Sequence, residues 1–487
     1  MPENLRLVAW LVLRRGGDAP LRAVPDAADH FELDPRDRGL LRHLIGVEVR
    51  RRGTLRAILR HLAHRPPKTD LAAHLRLGLA QLFFLDRVPD HAAVSETVRA
   101  VTDTLGLAKG RVANAVLRRA IDLRREGEHD SPRQNLPACP FHLAEPIFRD
   151  PAEHPLLWAE DALSMPAALV GRWSRRWGQD EAFRLARLSL TEAPLSLRLV
   201  NPAEPLPEEL AALDPRPGRH PAIRILPSSA AEALFASAAF AAGSITIQGE
   251  TALRAAELLG AAPGERLLDL CAAPGGKTAV LAAAGAKVIA SDRSPARLAP
   301  LLANMERLGL GERVSAIASD GVSALSLASP LSPSSPPSQT GAESTAALAP
   351  LSTPLFDGAL VDAPCTNTGV LAQRPGARWR FGPGAEADLN AIQDRLLKEA
   401  ASLVRPGGRL VYSTCSLEPA ENTGRIRAFL ESHPDWSLVE EQAARPASIA
   451  DAAPSIGDAA GPVDGPAAGP RAGPIDGGYA ARLSRSS

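Results

Sequence analysis

From residue 266 onward, short apolar runs alternate with helical stretches, and this alternation constrains the fold more than any other feature of the chain. Strands that alternate with helices form βαβ units, whose strands lie parallel in one sheet. We therefore expect an α/β domain with a mostly parallel sheet. The apolar runs that predict its strands are 267–270, 288–290, 314–318, 359–361 and 410–412.

The N-terminal quarter predicts a different architecture, an all-α domain over residues 1–125. Apolar residues recur at helical spacing over 71–85, 92–105 and 112–123. This region carries 23 Lys and Arg against 14 Asp and Glu, although the whole chain has 55 of each. A basic module joined to an acidic remainder is typical of a protein that holds a polyanion, and Arg suits phosphate groups. The alternative is a solvated, Arg-rich helical surface.

Between these two domains the sequence predicts a linker and a small α+β segment. Residues 126–160 are polar and Pro-rich, without a clear period. Residues 161–245 combine a predicted helix over 166–190 with a predicted strand over 195–200. The α/β domain then covers 246–487. Within it, two tracts poor in charge and rich in Pro, Ala, Ser or Gly are expected to be disordered loops: 323–354 and 445–474.

The chain has only four cysteines, and none forms a CxxC pair. This spacing argues against a structural zinc site, a redox motif and a disulfide scaffold, and it favours a reducing compartment. The one N-terminal apolar stretch, 5–13, is too short and too charged to span a membrane. We expect a cytoplasmic protein without a metal centre or membrane association, and a monomer.

Two of the cysteines, Cys365 and Cys415, each follow an apolar run. Parallel strands that both end in Cys would present two thiols at one sheet edge, which is where open α/β sheets bind ligands. The pair therefore suggests covalent chemistry. The alternative for each residue is a small, buried apolar side chain.

A turn rich in small residues follows the first predicted strand and precedes a helix. It comprises Cys271, Ala272, Ala273, Pro274, Gly275, Gly276 and Lys277. Small residues let a ligand approach the backbone, and a helix N-terminus offers free N–H groups. The turn is not a P-loop, because position 271 is Cys where that motif requires Gly, and it is not a GxGxxG turn.

The next two predicted strands end at Asp292 and Asp320. Asp292 could accept hydrogen bonds from both hydroxyls of a ribose, and Asp320 from an adenine amino group. Either acid alone could instead cap a helix. Their succession after a glycine turn favours an adenosine-type ligand.

These motifs together resemble those of the RNA 5-methylcytosine methyltransferases. Leu-Asp-Leu-Cys-Ala-Ala-Pro-Gly-Gly-Lys-Thr at 268–278 is similar to motif I of that family, Asp-Ala-Pro-Cys at 362–365 to motif IV, and Ser-Thr-Cys-Ser at 413–416 to motif VI. Gly369-Val370 and Arg378-Trp379 extend motif IV, and Glu418, Glu421 and Asn422 extend motif VI. The segments 33–38, 85–89 and 112–118 resemble the NusB-like RNA-binding module, and 194–201 resembles the middle region. The combination resembles the Sun family.

The resemblance implies a NusB-like domain joined to a Rossmann-like methyltransferase domain that uses S-adenosyl-L-methionine. It implies that Cys415 is the nucleophile, that Cys365 assists product release, and that Asp362 orients the base near the cofactor methyl. The turn at 271–277 with Asp292, Asp320 and Asp362 would bind the cofactor. The implied substrate is a cytosine in RNA, most specifically 16S rRNA.

The sequence departs from the family pattern at three motif positions and in the Ser- and Pro-rich insert at 323–354, which the typical member lacks. Thr-Asn-Thr-Gly at 366–369 replaces Ser-Gly-Thr-Gly, the stretch 373–376 is less charged than usual, and Gly249 stands where Asp is common.

The sequence leaves three other functions open. They are a tRNA methyltransferase, a non-catalytic RNA-binding assembly or antitermination factor, and an adenosine-dependent enzyme for proteins or small molecules. The intact cysteine pair argues against the second, and the basic module against the third.

Overall fold

The structure forms strands at the short apolar runs and helices at the amphipathic stretches, as the sequence predicts. These elements belong to two compact units. The computed structural model describes residues 4–17, 19–63, 65–319, 356–447 and 475–487. The intervals expected to be disordered, 323–354 and 445–474, fall outside these residues apart from 445–447. The first unit comprises Met1–Glu192 with Leu371–Gly382, and the second comprises Ala193–Val370 with Pro383–Ser487.

The first unit is a helical bundle, as predicted for residues 1–125. Its longest helix, α3, begins where the Asp34 carboxylate accepts the Asp37 backbone N–H at 2.8 Å, with Pro35 in the first helical position. The first six helices are α1 (Leu5–Arg15), α2 (Val24–His30), α3 (Pro35–Leu62), α4 (Thr69–Phe84), α5 (Asp90–Leu105) and α6 (Leu107–Leu123). In the described part of the chain, every helix is too short or too polar to cross a bilayer.

The remainder of the first unit differs from the sequence predictions in detail. The segment 126–160, for which the sequence predicts a linker, contains regular structure. The sequence does not reveal it, because each of its strands is too short to show a period. The single helix predicted over 166–190 is two helices, since Gly178 adopts φ +87° and ends the first of them. The elements are β1 (Arg124–Glu126) paired with β2 (Phe141–Leu143), then α7 (Pro155–Ala162), α8 (Ala167–Trp177) and α9 (Gln179–Leu188).

A short segment from the second half of the chain, Leu371–Gly382, completes the first unit. Arg378 is fully buried there, and its guanidinium donates to the backbone carbonyls of Ser164 and Ser189. Burial lowers the pKa of Arg378 to about 9. The Trp379 indole N–H donates to the carbonyl of Val49 at 2.8 Å. The Arg-Trp pair that follows motif IV therefore anchors its segment by satisfying buried backbone carbonyls.

The second unit begins with a small antiparallel sheet, in agreement with the predicted α+β segment. Its strand order is β4-β5-β3-β6. The elements are β3 (Leu195–Leu199), α10 (Glu208–Ala211), β4 (Arg216–Pro217), β5 (Ile223–Leu226), α11 (Ala231–Ala236), α12 (Ala238–Ala241) and β6 (Ile245–Ile247).

The large sheet of the second unit confirms the predicted α/β fold. Its seven strands lie in the order β12-β13-β11-β10-β7-β8-β9, and the five from β11 to β9 are parallel. The elements are α13 (Glu250–Glu257), β7 (Arg266–Leu270), α14 (Gly276–Ala283), β8 (Lys287–Asp292), α15 (Pro295–Arg307), β9 (Val314–Ala318), β10 (Phe356–Asp362), α16 (Ala377–Arg380, in the first unit), α17 (Pro383–Leu403), β11 (Val404–Thr414), α18 (Thr423–Ser432), β12 (Trp436–Ala444) and β13 (Gly478–Arg485).

Helix α13 is capped by a carboxylate from a distant part of the chain. Its N-cap residue is Gly249, which has no side chain to accept the first free N–H groups. The Asp476 carboxylate accepts from both the hydroxyl and the backbone N–H of Thr251, and one of its oxygens lies 2.2 Å from where a Cβ of Gly249 would be. Asp476 therefore takes the place of the aspartate that is common at position 249 in the resembled family.

We expect Asp476→Ala to weaken the start of α13, because removing an N-cap carboxylate costs about 0.5–2 kcal/mol. Amide hydrogen exchange over 250–257, followed by mass spectrometry, should accelerate about two- to thirty-fold. Gly249→Asp in the same variant should restore slow exchange by returning the carboxylate to the cap position. Gly249→Asp alone should be destabilised, because it adds a second carboxylate in the same space. Unchanged exchange in Asp476→Ala would contradict the assignment.

Candidate active site at the carboxyl edge of the sheet

The strand order creates a crevice at the carboxyl ends of β7 and β10. From β7 the chain proceeds to β8 and β9 on one side of the sheet, and then returns to β10 and β11 on the other. Open α/β sheets bind ligands at such a reversal. The turn at 271–277 follows β7, and the two cysteine loops follow β10 and β11, so the structure places all three predicted motifs at this edge.

Cys365 and Cys415 lie side by side, with their Sγ atoms 3.3 Å apart. Asp362 is in parallel register with Ser413, so the two strands end at the same level and their loops leave the sheet together. Cys365 is buried and Cys415 is partly exposed. The predicted juxtaposition of the two thiols is thus present in the structure.

The Cys365 thiol resists ionisation. The hydrogen bond with Cys415 and then burial raise the pKa of Cys365 well above its ordinary value, and the charge of Glu421 adds to this. Cys365 therefore remains a neutral thiol at neutral pH. A thiol of this kind keeps its proton and can donate a hydrogen bond, but it is a poor nucleophile, since the thiolate is the reactive form.

Asp362 connects the cysteine edge with the small-residue turn. One carboxylate oxygen pairs with the Lys277 ammonium at 2.8 Å, and the other accepts the Ser413 hydroxyl at 2.9 Å. Burial alone would lower the pKa of Lys277, but the charge and hydrogen bond of Asp362 more than offset it, so that the net pKa is raised. Lys277 is therefore a cation inside the crevice, fixed across the reversal between β7 and β10.

Two buried polar residues beside the turn between β7 and α14 have unused hydrogen-bonding capacity. Asp269 is completely buried and accepts the Thr278 hydroxyl at 2.7 Å through one oxygen. Its other oxygen and both amide atoms of Gln248 find no hydrogen-bond partner among the described residues. Gln248 lies 3.6 Å from where a Cβ of Gly276 would be, so it packs directly against the start of α14. Sequence reasoning did not single out Gln248.

The strand-end acids are only partly described. Asp292, at the end of β8, accepts the Ser294 backbone N–H at 3.0 Å and pairs with Arg297 at 2.9 Å. Arg297 also donates to the carbonyl of Ala273 and so links Asp292 to the turn. Asp320 lies outside the described residues.

The other two cysteines have the character of inert thiols. Burial raises the pKa of Cys139 to about 11, and its thiol donates to the carbonyl of Phe83 at 3.1 Å. Burial raises the pKa of Cys271 to about 12. Cys271 adopts φ +62° within the turn after β7, which is uncommon for a residue other than glycine.

A buried carboxylate that the sequence did not mark as a site residue joins the two cysteine loops. Glu421 is fully buried and accepts the Thr366 backbone N–H at 2.9 Å and the Gln393 amide at 3.2 Å. Its second oxygen accepts the hydroxyls of Thr366 and Ser416. Thr366 follows Cys365 and Ser416 follows Cys415, so one carboxylate holds both loops. The only sequence signal was its place in the extension of motif VI.

Ionisation of the buried Asp269 carboxyl group should make the stability of the protein depend on pH. Burial raises its pKa to about 7, opposed by the Thr278 hydrogen bond and assisted by the Asp362 charge. A raised carboxyl pKa contributes stability at low pH that is lost as the pH rises through 7. Asp269→Asn should therefore gain stability relative to the unmodified protein as the pH rises from 5 to 8, by about 3 kcal/mol, because each of the roughly two pH units between 5 and the folded-state pKa costs about 1.4 kcal/mol.

Thermal unfolding midpoints across this pH range provide the measurement. Asp357→Asn is the matched control, because hydrogen bonds from Arg266 and Arg405 lower the pKa of Asp357. The difference in thermal unfolding midpoint between Asp357→Asn and the unmodified protein should stay constant between pH 5 and 8. If the midpoint difference for Asp269→Asn were also constant over this range, the raised pKa assigned to Asp269 would be contradicted.

Comparison with known proteins identifies the family of both halves of the chain. Residues 256–458 match the family described as 16S rRNA methyltransferase RsmB/F, and residues 15–122 match the NusB family. A solved structure described as the crystal structure of PH0851 covers 100% of this chain and 99% of its own, with a TM-score of 0.67 and 22% sequence identity. This likeness shows a shared fold.

Curated relatives cover nearly the whole chain. The probable ribosomal RNA small subunit methyltransferase B of Synechocystis sp. is 31% identical over 89% of this chain and 90% of its own length. The ribosomal RNA small subunit methyltransferase B of Pseudomonas syringae pv. tomato is 33% identical over 88% of this chain and 86% of its own. The resemblance read from the motifs is thereby confirmed, and the chain belongs to the RsmB/F methyltransferase family, with a NusB-family domain at its N-terminus.

Proposed function

We propose that this protein methylates carbon 5 of a cytosine in small-subunit ribosomal RNA, with S-adenosyl-L-methionine as methyl donor and a transient bond between Cys415 and carbon 6 of the base. One observation carries the proposal: the two thiols lie 3.3 Å apart at the reversal of strand order, beside the Asp362–Lys277 pair. The names of the relatives, which are ribosomal RNA small subunit methyltransferases B, support rRNA over tRNA as the substrate.

The chemistry of the base explains why thiols are needed. Carbon 5 of cytosine is a weak nucleophile. When a thiolate adds to carbon 6, a sulfur–carbon bond forms and the electron pair of the 5,6 double bond becomes available at carbon 5. This covalent catalysis divides one difficult step into easier ones. Bound S-adenosyl-L-methionine would supply a methyl group on a positively charged sulfur, ready to be taken by that electron pair.

The residues around the turn fit such a cofactor. The free oxygen of Asp269 and the amide of Gln248 are buried polar atoms without partners among the described residues, and both border the turn. Buried polar groups normally find a partner, so these atoms are suited to a polar ligand. The turn at 271–277, with Asp292 and Asp362, would hold the cofactor. Asp320 stays a prediction, because it lies outside the described residues.

The asymmetry of the two cysteines supports their proposed roles. Cys415 is partly exposed and can reach a base, whereas Cys365 is buried with a raised pKa. After carbon 5 has gained the methyl group it must lose its proton to solvent water, so that the 5,6 double bond re-forms and the bond from carbon 6 to Cys415 breaks. The departing Cys415 sulfur then carries the electron pair, and the neighbouring Cys365 thiol can stabilise it by donating a hydrogen bond.

Asp362 and Lys277 would orient the base and balance charge. The Asp362 carboxylate is held from both sides by Lys277 and Ser413. A carboxylate fixed in this way can accept the exocyclic amino group of cytosine. The Lys277 ammonium pairs with it and lowers the local negative charge while the thiolate forms. A group that is already oriented loses little freedom when the substrate binds.

The helical unit would supply phosphate contacts. Arg111 and Arg118 are exposed on α6, and their spacing of seven residues places them on one face of the helix. Phosphate contacts give affinity and register, while the target base must leave its stack to reach the thiols. Cytoplasmic location and a monomeric state stay predictions.

The roles of the two cysteines can be separated by covalent trapping. Cys365→Ala, incubated with 16S rRNA and S-adenosyl-L-methionine, should accumulate a protein–RNA adduct that survives denaturing electrophoresis, because release of Cys415 is slowed. Cys415→Ala should form none, because it lacks the nucleophile. Cys139→Ala serves as the control, since that thiol is remote in sequence and inert.

The opposite pattern would exchange the two roles. An unmodified protein that neither methylates rRNA nor forms an adduct would contradict the proposed activity and support an RNA-binding factor. Methylation of tRNA transcripts with little action on 16S rRNA would replace the proposed substrate.

RNA affinity should depend strongly on salt, because phosphate contacts release counterions. Arg111→Ala with Arg118→Ala should reduce the slope of log affinity against log salt by about 2, near 1 for each lost contact. The paired substitution to Lys is the matched control and should keep the slope. Fluorescence anisotropy with labelled rRNA fragments measures this. A slope unchanged by the Ala pair would exclude these two residues from the RNA surface.

A further inference from the structure

Asn367 lies between the two thiols, at a position where the resembled family has Gly. Its backbone adopts φ +61°, the left-handed region in which Asn is the best tolerated residue after Gly. Its side-chain oxygen is 3.3 Å from Cys415 Sγ, and its side-chain nitrogen is 2.6 Å from the carbonyl oxygen of Cys365. A backbone suited to Gly thus carries an amide that reaches the proposed nucleophile.

The hydrogen-bond partners fix the orientation of this amide. The carbonyl of Cys365 can only accept, so it must face the NH₂ group of Asn367. The oxygen of the amide therefore faces Cys415, where it can only accept the thiol proton. A thiol has one proton, so the contact between the two sulfurs must be donated by Cys365. The two hydrogen bonds therefore point in the same direction: the Cys365 thiol donates to the Cys415 sulfur, and the Cys415 thiol donates to the Asn367 oxygen.

We propose that Asn367 is a catalytic residue of this chain, which accepts a hydrogen bond from the Cys415 thiol and holds the resting nucleophile protonated and oriented until a base binds. The proposal rests on the proposed function, in which Cys415 is the reacting thiol. The bond stabilises the thiol and not the thiolate, because a carbonyl oxygen repels a neighbouring negative sulfur. It must break before Cys415 attacks, while the bond donated by Cys365 persists and stabilises the thiolate.

Other titratable groups around Cys415 define the electrostatic setting. They include the Cys365 thiol from the loop after β10, Lys277 from α14 with its partner Asp362, and Glu421 from the turn before α18. Lys277 favours the thiolate, and Glu421 and Asp362 disfavour it. Asn367 carries no charge, so its substitution by Gly leaves this set unchanged.

A protonated resting state protects a closely spaced thiol pair. A thiolate 3.3 Å from a second thiol would be a ready target for oxidation or alkylation, because the thiolate is the reactive form. Holding Cys415 as a thiol suppresses these side reactions. We therefore expect the chain to be less sensitive to thiol reagents than it would be with Gly at 367.

Asn367→Gly tests the proposal, because Gly accepts φ +61° without strain and removes only the amide. The rate of iodoacetamide labelling of Cys415 is followed against pH by peptide mass spectrometry, without RNA or cofactor. The half-maximal pH should fall by about half to one unit in Asn367→Gly, the size expected for one neutral hydrogen bond. Asn367→Asp should raise it, since a carboxylate beside the sulfur disfavours the thiolate. The acid limb of the methylation pH profile should move in the same directions.

An unchanged or raised half-maximal pH in Asn367→Gly, with the thermal unfolding midpoint preserved, would overturn the proposal. A lower half-maximal pH in Asn367→Asp would overturn it as well. The labelling does not depend on RNA, so the two proposals fail in different assays. A labelling shift without any covalent RNA adduct would reject the proposed function and with it the catalytic role, whereas an adduct without a labelling shift would reject the role of Asn367 alone.

Discussion

The parallel pairing of β10 with β11 is the constraint on which the site depends. Parallel strands carry their following loops to the same edge, and the register of Asp362 with Ser413 makes both strands end at one level. The two loops would still be free to diverge beyond the sheet. The buried Glu421 carboxylate prevents this, because it accepts hydrogen bonds from the residues that directly follow each cysteine. Strand pairing and one carboxylate together fix the 3.3 Å separation of the thiols.

Much of this arrangement could be predicted from sequence, because it depends on local patterns. The apolar runs before Cys365 and Cys415 predicted strands, and parallel strands imply a shared edge. The predicted 166–190 helix was wrong at Gly178, where a single positive φ interrupts an apolar period that continues on both sides. Glu421 and Asp476 could not be assigned, because their roles are defined by hydrogen-bond partners elsewhere in the chain, and Gln248 could not, because only the fold brings it beside Gly276. The Asp476–Thr251 bond, for example, joins residues 225 positions apart.

The two informative departures from the family pattern have different physical consequences. At Gly249 the missing carboxylate is replaced by Asp476, which occupies the same space and caps the same helix. At Asn367 a side chain is added where backbone geometry allows it, and its oxygen faces a thiol. The first change preserves the fold around the cofactor turn. The second alters the surroundings of a sulfur atom, and it is therefore expected to affect reactivity and not stability.

The most direct test of the account is to identify the cysteine that bonds to the base. RNA that contains 5-fluorocytosine at the target traps the adduct, because carbon 5 then has no proton to lose. Digestion of the trapped complex and mass spectrometry should find the nucleotide on the peptide that contains Cys415. A nucleotide on the peptide of Cys365, or the absence of any nucleotide-bearing peptide from an enzyme that methylates unmodified RNA, would contradict the account.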